Sequence, residues 1–114
     1  TQLVMKDEVV GAGAGAVAGD TVTVNYVGAL TNGTVFDASA SHTETANGFT
    51  FTLGAGQVIK GWDEGIVGMK EGGKRKLLIP ASLAYGNQAV GGVIPANSAL
   101  VFEVELLKVQ QPTR

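Results

Sequence analysis

Val22, Val24 and Tyr26 fall on one side of the stretch 21–27, and Thr21, Thr23, Asn25 and Val27 on the other, which is the period of two that marks a β-strand. The same reading makes residues 3–10 an opening strand and puts Phe49, Phe51 and Leu53 on one face of a strand over 49–53. It makes 74–79 a strand that Pro80 stops, and 99–109 the longest strand and the one that closes the domain. Between residues 31 and 34 stands Asn32-Gly33, the dipeptide of tight hairpins, so Val35, Phe36 and Asp37 are expected to return antiparallel to the strand before them. One segment changes period. Trp62, Ile66 and Met69 stand at i, i+4 and i+7, an apolar stripe that predicts a helix over 60–68. Asp63 and Glu64 suit its positive end, and Gly68 and Lys70 its close. Gly65 weakens it by about 1 kcal/mol relative to alanine, and a helix this short is unstable alone, so a sheet must wrap it. Strands with a single helix predict an α+β antiparallel sheet.

The segments between these elements are of several kinds. The tract 11–19 alternates glycine and alanine, and Gly13, Gly15 and Ala18 match the loose Gly-x-Gly-x-x-Ala dinucleotide signature. That signature needs a helix after it, and here a strand follows, so the tract is expected to be a flexible connecting loop. Gly11, Gly15 and Gly19 have the helix-dimer spacing but lack an apolar host segment. Residues 38–48 are polar and turn-rich, a surface loop that carries His42, and 81–98 form a second long loop. The stretches 56–70 and 84–97 set aromatic and branched side chains among many glycines, as the wall of a small apolar pocket requires.

Composition narrows the chemistry. With 114 residues the chain is expected to form one domain, 1–114, large enough for a single core. There is no cysteine and one histidine, which removes thiol chemistry, a serine-histidine-aspartate relay and a histidine-rich metal site. A net charge of −2 and a pI near 5.2 oppose nucleic-acid binding. The one basic cluster, Lys70, Lys74, Arg75 and Lys76, is expected to be a solvated turn. No apolar run approaches the roughly 18 residues of a membrane span. Asn32-Gly-Thr34 is a glycosylation sequon, but the hairpin turn accounts for it. The start at Thr1 predicts a trimmed chain, which leaves cytoplasm and export both open.

Several motifs in series carry a resemblance: Val24-Asn-Tyr-Val-Gly28, Gly33-Thr-Val-Phe-Asp37, Phe49-Thr-Phe51, Gly56-Gln-Val-Ile-Lys-Gly-Trp62, Ala84-Tyr-Gly86, Gly92-Val-Ile-Pro95 and Leu100-Val-Phe-Glu-Val-Glu-Leu106. In that order and near that spacing, over nearly the whole chain, they resemble the FKBP-type peptidyl-prolyl cis/trans isomerases. The resemblance implies a curved antiparallel sheet of five to six strands wrapped around one short α-helix. It implies an isomerase of X-Pro bonds that helps protein folding, with no cofactor and no metal. Its implied partners are proline-containing, unfolded or flexible polypeptides and macrolides such as rapamycin, bound by a monomer.

Site residues follow from the same resemblance. Trp62 becomes the floor under the proline ring, with Tyr26, Phe36, Phe49, Val58, Ile59 and Phe102 as walls. Asp37 becomes polar lining near the substrate carbonyl, bonded to Tyr26. The Tyr85 hydroxyl and the Ile59 N–H become donors to ligand carbonyls, and Val93 and Ile94 contacts to the residue before proline. Read without the resemblance, Trp62 and Phe102 are core aromatics before they are pocket walls, and the structural alternative for Asp37 is a turn-capping acid. The chain departs from the family pattern in a longer loop between Phe36 and Phe49, in Gln57 where an acid is frequent, and in Val90 and Ala96 on the overhanging loop. A proline-binding module of a larger chaperone-like protein is the alternative function.

Overall fold

The computed structural model describes residues 3–13, 15–38, 48–86, 88 and 94–110. Six strands form in order: β1 (Val4–Val9), β2 (Thr21–Leu30), β3 (Val35–Ala38), β4 (Phe49–Thr52), β5 (Lys74–Ile79) and β6 (Leu100–Gln110). The helix α1 (Lys60–Gly65) lies between β4 and β5, and a 3-10 turn (Ala81–Leu83) follows β5. All strand pairings are antiparallel, in the order β1-β5-β6-β2-β3, and β2 also pairs with β4. This is the antiparallel sheet with a single helix that the alternation and the stripe implied, curved around that helix as the resemblance implied.

β2 reaches both partners because it is long. Its first half, Thr21 to Val24, pairs with β4, and its second half, Val27 to Ala29, pairs with β3. The register shifts between Thr23 and Val24 against β6, and between Gly28 and Ala29 against β3. Such irregularities bend a strand and increase its twist, and here they curl the sheet over α1. Alternation settles what points inward: Val22 and Val24 of β2, Leu77 and Ile79 of β5, and Leu100, Phe102, Val104 and Leu106 of β6 are buried against Trp62, Ile66 and Met69.

Four sequence expectations change. The helix stops at Gly65, short of Gly68, because Gly68 takes φ +90° and gives its N–H to the Ala16 carbonyl. Ile66 and Met69 stay buried from the turn that follows. Leu53 falls in a turn after β4, yet it is fully buried. The glycine-alanine tract is tied down, with Ala12 N–H on Glu71 O at 3.0 Å and Ala16 N–H on Met69 O at 2.8 Å, and Ala16 is fully buried.

The largest correction concerns the basic cluster. Lys74, Arg75 and Lys76 lie on β5, where the two lysines face outward opposite Glu105 and Glu103 of β6. Arg75 points inward and is buried at 9% exposure, bonded to Asp7 of β1. Local composition suggested a turn, whereas strand parity turns Arg75, between two outward lysines, into the core. No helix among the described residues is long and apolar enough to cross a membrane.

Candidate active site

A cavity of about 210 Å³ opens between the concave face of the sheet and the first turn of α1. Tyr26, Phe36, Asp37, Phe49, Gln57, Val58, Ile59, Trp62, Tyr85 and Phe102 line it. β2, β3, β4 and β6 each supply ring-bearing wall residues, and α1 places Trp62 beneath them. The rings meet edge to face. Trp62 stands 5.0 Å from Tyr26 and 5.2 Å from Phe102 between centroids, and Phe36 stands 5.6 Å from Phe102. These are favourable offset geometries that hold the walls apart at fixed angles.

A glycine in β2 makes this closure possible. A Cβ on Gly28 would lie 2.6 Å from Phe102 Cε1 and 2.8 Å from Phe36 Cζ, so only glycine lets both rings cross the strand there. Trp62 is 4% exposed, and its indole N–H meets no oxygen acceptor among the described residues. The rings of Tyr26, Phe49, Phe51 and Phe102 surround it.

The polar content of the pocket is small and ordered. The Tyr26 hydroxyl donates to Asp37 Oδ2 at 2.9 Å, and the Ala38 N–H donates to Asp37 Oδ1 at 2.9 Å. Burial first, and then the bond and the charge of Asp37, push the Tyr26 pKa from 10.0 up to about 12. The hydroxyl is therefore a proton-bearing donor at every physiological pH. Among the described residues, Asp37 is the only formally charged one in the lining. Among the described residues no group of three or more histidine, cysteine, aspartate or glutamate side chains could hold a metal ion.

The loop from β4 to α1 is pinned twice. Asp63, in the first turn of α1, accepts the Gly54 N–H at 2.8 Å on one oxygen and the Gly56 N–H at 3.1 Å on the other. Gln57 turns back, its Oε1 accepting the Thr52 N–H at 2.9 Å. Both carbonyl bonds from Trp62 and Asp63 N–H converge on Ile59 O, at 3.0 and 3.3 Å. The wall residues Val58 and Ile59 thus start from an anchored backbone. No spacing rule in the sequence marks Asp63 or Gln57 for this work, because each partner is a main-chain N–H.

Nine of the eleven residues singled out from the sequence come together in this one cavity. Tyr85 stands on its rim at 40% exposure, in the turn after the 3-10 segment, where the Gly86 N–H bonds Ala81 O at 2.8 Å. Ile94 does not line it. Its side chain is 4% exposed within the core, which draws a branched apolar side chain inward from the overhanging loop. Val93, like His42 and Val90, lies outside the described residues. Nothing in the lining is arranged to attack or protonate a bond. What the cavity can do is take up a small apolar ring, strip water from it, and offer the Tyr26, Tyr85 and Ile59 region to an adjacent polar group.

A sequence model of the FKBP-type peptidyl-prolyl cis-trans isomerases matches residues 13–107. An FK506-binding protein of Neisseria meningitidis serogroup A is 55% identical over 109 residues, which cover 96% of this chain and 97% of the relative. FK506-binding protein 1A of Neurospora crassa is 61% identical over 92 residues, covering 81% of this chain and 74% of that protein. Among solved structures, AtFKBP13 superposes with a TM-score of 0.84 at 44% identity, covering 93% of this chain and 91% of that one. FkpA from Escherichia coli superposes at 0.83 with 45% identity over 96% of this chain, which corresponds to 48% of the longer FkpA chain.

Proposed function

The chain belongs to the FKBP-type peptidyl-prolyl cis-trans isomerases, and from that premise we propose that its aromatic cavity is the site where an X-Pro bond rotates, with residues 1–114 acting as one monomeric domain. Tyr26, Phe36, Asp37, Trp62, Tyr85 and Phe102 form the catalytic pocket in this reading, and Phe49, Val58, Ile59 and Val93 contribute to substrate binding, with Ile94 behind the walls in the core. The observation that carries it is the convergence of five aromatic walls and one hydrogen-bonded carboxylate on a floor made by Trp62.

The reaction needs no nucleophile. An X-Pro amide resists rotation because twisting breaks its resonance, at a barrier of about 18–20 kcal/mol. A cavity that binds the twisted form better than the planar one lowers that barrier, and a thousandfold acceleration requires about 4 kcal/mol of such differential binding. The proline ring rests on Trp62 between Phe49 and Phe102. The planar amide gains its stability from charge separation that water supports, so a dry aromatic cavity disfavours it relative to the twisted form. Asp37, held by the Tyr26 hydroxyl and the Ala38 N–H, is the fixed polar group beside the rotating bond in this reading.

Proline-containing unfolded or flexible polypeptides are the substrates of this reading, and assistance to folding is its biological setting. Several relatives bear the name FK506-binding protein, which supports extending macrolide binding, rapamycin included, to this cavity. The test is the relaxation of a short X-Pro peptide from cis to trans, followed with and without the protein and again with excess rapamycin. Acceleration that rapamycin abolishes is expected. No acceleration by folded protein would leave a proline-binding module. Asp37→Val is expected to cut turnover while the protein stays folded by circular dichroism, and full activity in that variant would remove Asp37 from the site.

A further inference from the structure

We propose that Arg75 is a positioning residue for the isomerase: from β5 it sets where α1, and the Trp62 floor with it, sits along the sheet. Asp7 of the edge strand β1 holds Arg75 in that role. The inference deepens the isomerase reading and rests on it for its kinetic part.

The argument begins with how α1 meets β5. Arg75, Leu77 and Ile79 form the buried row of β5. Facing them, α1 presents Gly61 and Gly65, one turn apart and both buried. A Cβ on Gly61 would stand 2.4 Å from Ile79 Cγ2, and one on Gly65 would stand 2.9 Å from Leu77 Cδ2. The helix backbone therefore rests on the strand with no side chain of its own between them. Such a smooth contact sets the separation of the two elements but offers few interlocking ridges to stop one sliding along the other.

Arg75, the remaining member of the row, supplies the stop. Its Nη1 donates to Gly65 O at 2.8 Å and to Val67 O at 2.9 Å, at the end of the helix where carbonyls lack helical partners. The last turn of α1 carries no basic residue, so the cation that complements its negative end comes from β5. Trp62 is one turn back, and its carbonyl accepts the Ile66 N–H at 3.0 Å, between the two carbonyls that Arg75 holds. A shift of that turn is carried directly into the floor.

The guanidinium is itself fixed from outside. Its Nε donates to Asp7 Oδ1 at 2.6 Å and its Nη2 approaches Asp7 Oδ2 at 3.4 Å. β1 buries none of its six residues, and its Asp7 side chain is 45% exposed, so this pair joins an outlying strand to the pocket. Lysine cannot replace the arrangement, because one ammonium lacks the planar fork that spans a carboxylate and two carbonyls.

The experiment compares Arg75→Met, Arg75→Lys and Asp7→Asn with the parent chain, using turnover of a short X-Pro peptide and the fluorescence of Trp62, the chain's only tryptophan. Misplacement of a reacting site from a distance costs roughly tenfold to a hundredfold in rate. Arg75→Met is expected to lose kcat/KM on that scale with a shifted Trp62 emission, Arg75→Lys to fail to rescue either, and Asp7→Asn to show a smaller loss in both. Each is measured where urea titration shows the variant folded, and a loss that merely follows the unfolded fraction overturns the proposal. If Arg75→Met does not fold, the other two variants decide: parental kcat/KM and parental emission in both would overturn it. Should the parent chain itself lack turnover, the isomerase reading falls, while Trp62 emission still decides the positioning claim.

Discussion

Tyr26 and Asp37 show what a single pair contributes. Periodicity places Tyr26 on the inner face of β2, but Asp37 arrives beside it only because the hairpin closes with Asp37 opposite Gly28. Without the family resemblance that contact was not legible, since pairing across a turn depends on register. Its energetic consequence is testable. The folded pKa of Tyr26 is raised from 10.0 to about 12, so the associated stability is fully present below 10 and is lost as pH rises from there through about 12. Burial is the larger cause, so Asp37→Asn should lower the Tyr26 pKa only part of the way towards 10. Tyrosinate absorbance in a Tyr85→Phe background reads this, since the chain has two tyrosines. A second pair shows the same sign of shift in the acid range. Glu103 has its pKa raised from 4.5, chiefly by a hydrogen bond with Glu8, against the lowering pull of Lys76 and Lys74. Its contribution is present below 4.5 and lost as pH rises through the folded value, so the pair is unfavourable at neutral pH. Glu8→Gln should therefore raise the urea midpoint at pH 7 and not at pH 4.

The helix is the element on which local and tertiary preferences disagree. Helix propensity says that alanine at Gly61 or Gly65 gains about 1 kcal/mol. Packing says otherwise. The added methyl at Gly61 meets the stiff, fully buried Ile79 at 2.4 Å, and overpacking of that kind costs about 1–3 kcal/mol. At Gly65 the nearest atom is a terminal methyl of Leu77 at 2.9 Å, which has more room to turn. Urea titrations should rank Gly61→Ala as the more destabilised, and a stabilised Gly61→Ala would show that α1 does not rest on β5 as described. The loop before the helix gives a kinetic counterpart. Asp63→Ala frees the N–H groups of Gly54 and Gly56 and loosens the Val58–Ile59 wall, so KM for a proline peptide should rise while α1 persists. The start of α1 and its inward stripe were legible at the outset. Its end was not, because Gly68 turns there to reach Ala16, a contact made far from it in the chain.

At the scale of the whole molecule, the cavity and the core share walls. Trp62 and Phe102, each 4% exposed, belong to both the buried cluster and the lining. Phe102→Ala is therefore expected to cost about 3–5 kcal/mol of stability as well as turnover. Tyr85→Phe, on the rim at 40% exposure, should weaken ligand binding and change stability by no more than about 0.5 kcal/mol. Paired urea and turnover measurements separate the two cases, and equal stability in both variants would mean that Phe102 is not part of the core. The small charge of the lining follows from this sharing: a wall that is also core cannot carry unpaired ions.

Much of this architecture follows from the residue order alone. Strand positions, inward faces, the Asn-Gly turn and the apolar stripe are local patterns, repeated every two or four residues, and burial of apolar side chains enforces them wherever the strand or helix lies. Only the tertiary structure decided which charge goes inside and what the main chain holds. Arg75 is buried because Asp7, 68 residues away, and two helix-end carbonyls await it. Asp63 and Gln57 bind backbone N–H groups that every residue type but proline carries. Hydrogen-bond partners of this kind leave no period and no composition in the chain, because a bond between distant residues is specified by geometry that exists only after the sheet has closed.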